Sequence, residues 1–278
     1  MLQELSITDR TLIMGIVNVT PDSFSDRGRH FHPDDAVAQA KQLEKEGADI
    51  LDLGAESTRP GAEPVPVEEE LRRLTPVVER LVEQVSVPIS IDTRKRPVAE
   101  EMLRLGADII NDVSALRYDL GMGGLLADLG CPVILMHMQG TPQTMQESPE
   151  YENVISDILE FFRERTEYAV SEGIRQDRII LDPGIGFGKT LEHNYQIIRH
   201  LDKFKSMGYP LVLGASRKSL IGTTLDLPVD ERLEGSLAVA AVGIWKGADI
   251  VRVHDVQATK RVARMVDALR GDKKVPQV

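Results

Sequence analysis

The chain has 278 residues, 42% hydrophobic and 28% charged, a size and composition that suit one barrel of alternating strands and helices with a large core. Its net charge of −11, from 33 basic and 44 acidic residues, argues against general nucleic-acid binding, which needs a basic face, yet leaves room for a local basic pocket. One cysteine excludes an internal disulfide and a cysteine-based zinc cluster. No apolar stretch nears the ~18 residues of a membrane span and no signal-peptide pattern opens the chain, so the cytoplasm is the expected location.

Strand and helix patterns alternate from end to end. A strand at 12–17 ends before Asn18, and a helix follows at 33–46. Strand 50–54 precedes helix 67–84, strand 88–91 precedes helix 96–105, and strand 109–112 ends on Asn111-Asp112. Strand 133–136 opens after Gly130-Cys131-Pro132, which makes Cys131 a packed, inert thiol. Helix 151–172, strand 179–181, helix 191–201, strand 211–214, helix 232–246, strand 250–253 and helix 257–269 complete the series. Eight strands with intervening helices predict a closed parallel (β/α)8 barrel. An open doubly wound sheet would show a Gly-x-Gly-x-x-Gly turn after an early strand, and none is present. The whole chain, 1–278, reads as one domain with its core at about 12–267 and a frayed tail at 271–278.

One phrase is written three times: Gly47-Ala48-Asp49-Ile50, Gly106-Ala107-Asp108-Ile109 and Gly247-Ala248-Asp249-Ile250. Glycine suits the left-handed position after a helix, and the apolar run that follows suits a buried parallel strand. The copies fall on the second, fourth and eighth strands, which feed the same layers of a barrel interior. Each run carries a polar residue near its exit: Asp52, Asn111 and Arg252. Strand exits are where such proteins place their chemistry.

Other exits carry Asp92, which competes as an N-cap for the next helix, and Asp182 in Asp182-Pro183-Gly184-Ile185-Gly186-Phe187-Gly188-Lys189. Two carboxylates and the Asn111 amide at one mouth suit a heterocycle with several N–H donors. Lys218, Arg252 and His254 follow the seventh and eighth strands, the usual phosphate corner of these barrels, and Arg59 can join them from the second loop. Backbone N–H groups at Ser219 suit a carboxylate. Asn18 suits Mg²⁺ when diphosphate oxygens and water complete the shell, whereas Asp22 competes as an Asx turn. His137 reads as a structural hydrogen-bonding group, and Met136 and Met138 as pocket wall. Two long loops, 18–32 and 55–66, both follow strands and so sit on the catalytic face.

Taken together, Met14-Gly15-Ile16-Val17-Asn18-Val19-Thr20-Pro21-Asp22-Ser23-Phe24-Ser25, Glu56-Ser57-Thr58-Arg59-Pro60-Gly61, Asp182-Pro183-Gly184, Gly186-Phe187-Gly188-Lys189, Ser216-Arg217-Lys218 and Arg252-Val253-His254-Asp255 resemble, in order, the motifs of the dihydropteroate synthase family of pterin-binding barrels. The resemblance implies that 4-aminobenzoate is joined to a dihydropterin methyl diphosphate with release of pyrophosphate, in folate biosynthesis. It implies that Asp92, Asn111, Asp182 and Lys218 hold the pterin. Asn18, Thr58, Arg59, Arg252 and His254, with Mg²⁺, would manage the diphosphate, and Thr58, Pro60, Phe187, Ser216, Lys218 and Ser219 would border the 4-aminobenzoate site. Asp92, Asp182, Lys218 and Arg252 are the expected catalytic groups. A homodimer and a sulfonamide target are implied as well, and no nucleic-acid or membrane partner.

Ala55, Ala215 and Arg27 depart from the family lettering without removing a needed polar group. A pterin-binding methyltransferase acting on a corrinoid protein would share Asp92, Asn111 and Asp182 but have little use for the basic set. A non-catalytic paralogue would show damage to that set, and none is seen. The segment 237–245 fits either an interface or packing on the barrel, with packing preferred.

Overall fold

In the computed structural model, which describes residues 10–20, 32–57 and 61–271, each apolar run becomes a strand and all pair in parallel. β1 (Leu12–Asn18), β2 (Ile50–Gly54), β3 (Ile89–Asp92), β4 (Ile109–Asp112), β5 (Val133–Met136) and β6 (Ile179–Asp182) follow one another around the sheet. On the other side of β1 lie β8 (Ile250–Val253) and then β7 (Val212–Leu213). A single parallel bridge, Leu181 to Leu211, joins β6 to β7 and all but closes the ring. β7 is shorter than the expected 211–214 because Leu211 pairs toward β6 and Gly214, with no side chain to pack, leaves the ladder.

Around the outside run α1 (Pro33–Lys45), α2 (Val67–Leu81), α3 (Arg96–Leu105), α4 (Met122–Leu129), α5 (Val154–Ser171), α6 (Leu191–Arg199), α7 (Leu201–Lys205), α8 (Ser219–Leu225), α9 (Leu233–Trp245) and α10 (Val256–Arg270). The sequence pattern missed α4, whose run Met-Gly-Gly-Leu-Leu-Ala-Asp-Leu has glycines where amphipathic spacing would show, and the seven-residue α8. The expected helix 191–201 breaks at His200 into α6 and α7. α5 starts at Val154 rather than 151, because the Asn153 side chain accepts the N–H groups of Ile155 and Ser156 and fixes the start there. The expected tail from 271 lies outside the described residues except for Gly271, which closes α10 in the left-handed conformation.

Inward-facing strand residues alternate, and the alternation builds layers. Leu12, Met14, Ile50, Ile109, Ile134, Ile180, Val212 and Ile250 form one apolar cluster inside the ring, separate from the larger core between strands and helices. Two residues further along, the same faces carry Asp52 after Ile50, Asn111 after Ile109, Asp182 after Ile180 and Arg252 after Ile250. On the neighbouring strands Met136 follows Ile134 and Gly214 follows Val212. The barrel is greasy below and ionic at its mouth for this reason alone.

The threefold phrase works at the other end. The backbone N–H of Asp49 donates to the Ile13 carbonyl, and the Ile13 N–H donates back to the Asp49 carboxylate at 2.8 Å. Asp108 makes the same reciprocal pair with Ile89, and Asp249 with Leu211, each carboxylate contact being 2.9 Å. Every copy therefore clamps the start of the preceding odd-numbered strand, while Gly47, Gly106 and Gly247 turn the chain at φ of 102°, 111° and 109°. Its aspartates serve stability, and its strand ends serve the site. Cys131 is buried with its thiol 3.3 Å from the Pro132 carbonyl, and burial pushes it up to about 12, which agrees with an inert role.

Candidate active site

At the mouth, the Arg252 guanidinium joins two strands' carboxylates. Its Nε donates to Asp52 at 2.6 Å and its Nη2 to Asp92 at 2.9 Å. The Asn111 amide donates to the same Asp52 oxygen at 3.3 Å, so the polar exits of β2, β4 and β8 meet as the shared wording implied. Asp182 completes the floor, its carboxylate accepting the Gly184 N–H at 2.7 Å. Gly214 lies between Asp182 and Arg252, where a Cβ would stand 3.7 Å from the first and 3.8 Å from the second. The missing side chain keeps the centre of the mouth open. Asp92 is not the N-cap of α3, contrary to the competing reading; Lys95 holds that position and Asp92 faces Arg252.

Burial governs the charges here. It raises Asp92 to about 7, against the pull of Arg252 and with the help of Asp52. It raises Asp182 too, opposed by Lys218, the Gly184 N–H and Arg252. Burial works against the Arg252 cation, but Asp52 and Asp92 more than offset it and hold the guanidinium charged. Lys218 is drawn down to about 8 by burial, partly restored by Asp182.

The basic side of the cleft is an interlock of two loops. Ser216 Oγ lies 3.0 Å from His254 Nδ1 and accepts the His254 backbone N–H at 3.2 Å. Arg217 grips Asp255 through Nε and Nη2 at 3.0 and 2.6 Å, from a left-handed backbone at φ 57°. That strained turn swings Lys218 inward at the start of α8, beside Ser219. The Lys218 ammonium donates to the Ile185 carbonyl at 2.5 Å and stands 4.4 Å over the Phe187 ring. Burial, with Arg252 and Arg217 nearby, lowers His254 to about 4, so the imidazole is neutral.

An apolar wall of Val113, Met136, Met138 and Met145 packs against Phe187, in line with the expectation for Met136 and Met138. His137 points the other way, into a buried contact with Lys189 at 2.9 Å, as befits a structural group. Asp52 is the site residue that candidate selection passed over, although its strand-exit position in the repeat signalled it. Glu56 was passed over too; it pairs with the Arg94 and Lys95 side chains of the Asp92 loop, a contact with no signature in local sequence.

Asn18 ends β1, half-buried. Thr58, Arg59 and Pro60 lie outside the described residues, as do Asp22 and Arg27. Among the described residues no three His, Cys, Asp or Glu side chains converge as a metal cage. Asn18 fits a Mg²⁺ ion only as one neutral oxygen ligand beside diphosphate and water, the sparse protein contribution that this ion tolerates.

Comparison with known proteins agrees with this geometry. The family model for pterin binding enzymes matches residues 14–254. A dihydropteroate synthase of Haemophilus influenzae is 47% identical over 256 residues, covering 92% of this chain and 93% of that one. The crystal structure of Yersinia pestis dihydropteroate synthase with a sulfonamide drug complex superposes with a TM-score of 0.90 at 45% identity, covering 94% of this chain and 95% of that one. Dihydropteroate synthase from Xanthomonas albilineans in complex with 7,8-dihydropteroate has a TM-score of 0.85 at 43% identity, with 95% of each chain covered. Acidic floor, basic rim and relatives point the same way: the chain belongs to the pterin-binding enzyme family, among its dihydropteroate synthases.

Proposed function

We propose that the chain condenses (7,8-dihydropterin-6-yl)methyl diphosphate with 4-aminobenzoate, giving 7,8-dihydropteroate and pyrophosphate. The observation that carries this reading is the pairing of opposite chemistries in one mouth: Asp92 and Asp182 beside Lys218 and Arg252, with Gly214 leaving the space between them open. A ring rich in N–H donors suits the acidic floor, and a leaving polyanion suits the basic rim. A methyl transfer would leave that rim without work.

In this mechanism the carbon–oxygen bond to diphosphate breaks before the arylamine nitrogen bonds fully. The pterin spreads the resulting positive charge, and Asp92 and Asp182 stabilise it through preorganised carboxylates. Asn111 orients the ring, and Arg252, His254 and Arg59 take up the charge of the departing anion. His254, neutral at rest, offers a ring N–H as a hydrogen bond to the diphosphate. Ser219 at the start of α8, with Ser216 and Lys218, receives the arylamine carboxylate, while Phe187, Thr58 and Pro60 border its ring. A sulfonamide would compete for that same space. Asn18 would help hold Mg²⁺, which would neutralise part of the diphosphate charge; chelation is expected to abolish turnover and added Mg²⁺ to restore it, and full activity in excess chelator would remove the metal from the account. A normal α-secondary deuterium isotope effect at the pterin methylene carbon tests the dissociative order, and an effect near unity counts against it.

α9 has a buried side and an exposed apolar side. Ala240, Gly243 and Ile244 pack inward, while Val242 and Trp245 face out, Trp245 being 57% exposed. Met265 and Leu269 of α10, which packs on α9, are exposed as well. An apolar surface of this kind on a chain otherwise rich in charge fits a two-fold interface. Trp245→Glu is expected to convert a dimer to monomer in sedimentation velocity; an unchanged dimer would move the interface elsewhere. No described helix is long and apolar enough to cross a membrane, and a cytoplasmic location goes with the proposed substrates.

A further inference from the structure

The turn between β6 and α6 has a feature that the reaction above does not use. Four successive carbonyls, those of Ile185, Gly186, Phe187 and Gly188, each accept a different side-chain donor. The donors are Lys218 Nζ at 2.5 Å, Gln146 Nε2 at 2.6 Å, Lys189 Nζ at 2.9 Å and the Tyr151 hydroxyl at 2.7 Å. Lys189 is 3% exposed, and its ammonium also reaches His137 Nδ1 at 2.9 Å and the His137 carbonyl at 3.3 Å, so its three hydrogens have three acceptors. Burial draws His137 well below its ordinary value, which agrees with a neutral imidazole at this contact, and burial lowers Lys189 as well.

Such pinning has a physical reason. Gly184, Gly186 and Gly188 all sit in the left-handed region, at φ of 68°, 81° and 63°, and glycine loses more conformational freedom on ordering than any other residue. No strand ladder holds this turn. At Gly188 a Cβ would come within 2.7 Å of the Gln139 carbonyl, so the turn must be glycine and must be held by something else. What it carries into the cleft is the Phe187 ring, half-buried, packed against the cluster of Val113, Met136, Met138 and Met145 and with the Lys218 ammonium over its face.

We propose that Lys189 and Tyr151 are positioning residues that fix the Phe187 ring at the border of the arylamine site, Lys189 through the Phe187 carbonyl and Tyr151 through the Gly188 carbonyl. The proposal rests on the reading of function given above. Neither residue touches the reacting atoms. Lys189→Met keeps the length of the side chain and removes its donors. Tyr151→Phe removes one donor and keeps the ring, so this variant is expected to fold.

Pyrophosphate release, followed while each substrate is varied in turn, reads the effect. Lys189→Met is expected to raise KM for 4-aminobenzoate by ~10-fold or more, since small misplacements of a positioning surface carry penalties of up to about 100-fold. Tyr151→Phe is expected to raise it by about 3-fold, the worth of one hydrogen bond. KM for the pterin diphosphate stays within about 2-fold in both, because the carboxylate floor is untouched. A merely structural role would lower the active fraction, and with it kcat, while leaving both KM values alone; that result overturns the proposal. If Lys189→Met does not fold, an unchanged KM for 4-aminobenzoate in Tyr151→Phe overturns it by itself. A wild-type protein that releases no pyrophosphate would instead sink the reading of function.

Discussion

Arg252→Met is expected to destabilise the fold by about 3–5 kcal/mol, the cost of breaking a buried ion pair from one side. Asp52 is fully buried, and one of its carboxylate oxygens has no hydrogen-bond partner among the described residues. Its other oxygen takes the Arg252 Nε and the Asn111 amide. Removing the guanidinium leaves Asp52 with an amide alone, beside Asp92, in the driest part of the mouth. Denaturant titration measures the loss. The companion variant Asp52→Asn/Arg252→Met removes the stranded charge and is expected to recover most of it, so the two substitutions are strongly non-additive. Additive losses would mean that Arg252 does not neutralise Asp52. Both variants should be inactive, since each lacks the cation that faces the leaving group.

The second large effect falls on chemistry rather than stability. Asp92→Ala is expected to lower kcat by about 100-fold or more, the scale of a lost electrostatic partner of a developing charge. Wild-type turnover by this variant would reject the role given to Asp92. In the intact enzyme the same group sets a pH dependence. Burial raises Asp92 to about 7, and only its ionised form can stabilise a cationic pterin. The activity kcat/KM for the pterin diphosphate should therefore fall as the pH drops through about 7.

Stability runs the other way. The folded chain keeps a proton on Asp92 that the unfolded chain releases at its ordinary value of 3.8, so the contribution is full below that value and is lost as the pH rises to about 7. Asp92→Ala, measured by thermal unfolding at pH 8, should consequently be far better tolerated than Arg252→Met. Equal losses would show that Asp92 is held for the fold and not for the reaction.

The barrel was legible because period and repeat are local. Ile109–Asp112, Val133–Met136 and Ile250–Val253 were bounded to the residue by apolar runs and their flanking turns. The ionic mouth was legible for a related reason: parallel strands place their exits together, so Asn111, Asp182 and Arg252 meet wherever a barrel forms. Three things were not. α4 has glycines in place of an amphipathic face. The pairing of Arg252 with both Asp52 and Asp92 spans 200 and 160 residues of sequence and depends on barrel register, so Arg252 read as a phosphate ligand alone. The Tyr151 contact to Gly188 required knowing that α5 begins at Val154 and leaves Tyr151 in the loop before it. Thr58 and Pro60 were named from the resemblance and Arg59 from its place in the second loop, and the geometry above stands without them.

The most direct test mixes the purified chain with dihydropterin methyl diphosphate and Mg²⁺ and follows pyrophosphate with and without 4-aminobenzoate. The account predicts sustained release that depends on the arylamine and matches dihydropteroate formed, one for one. Tight binding of the diphosphate with no release when both substrates are present would contradict it.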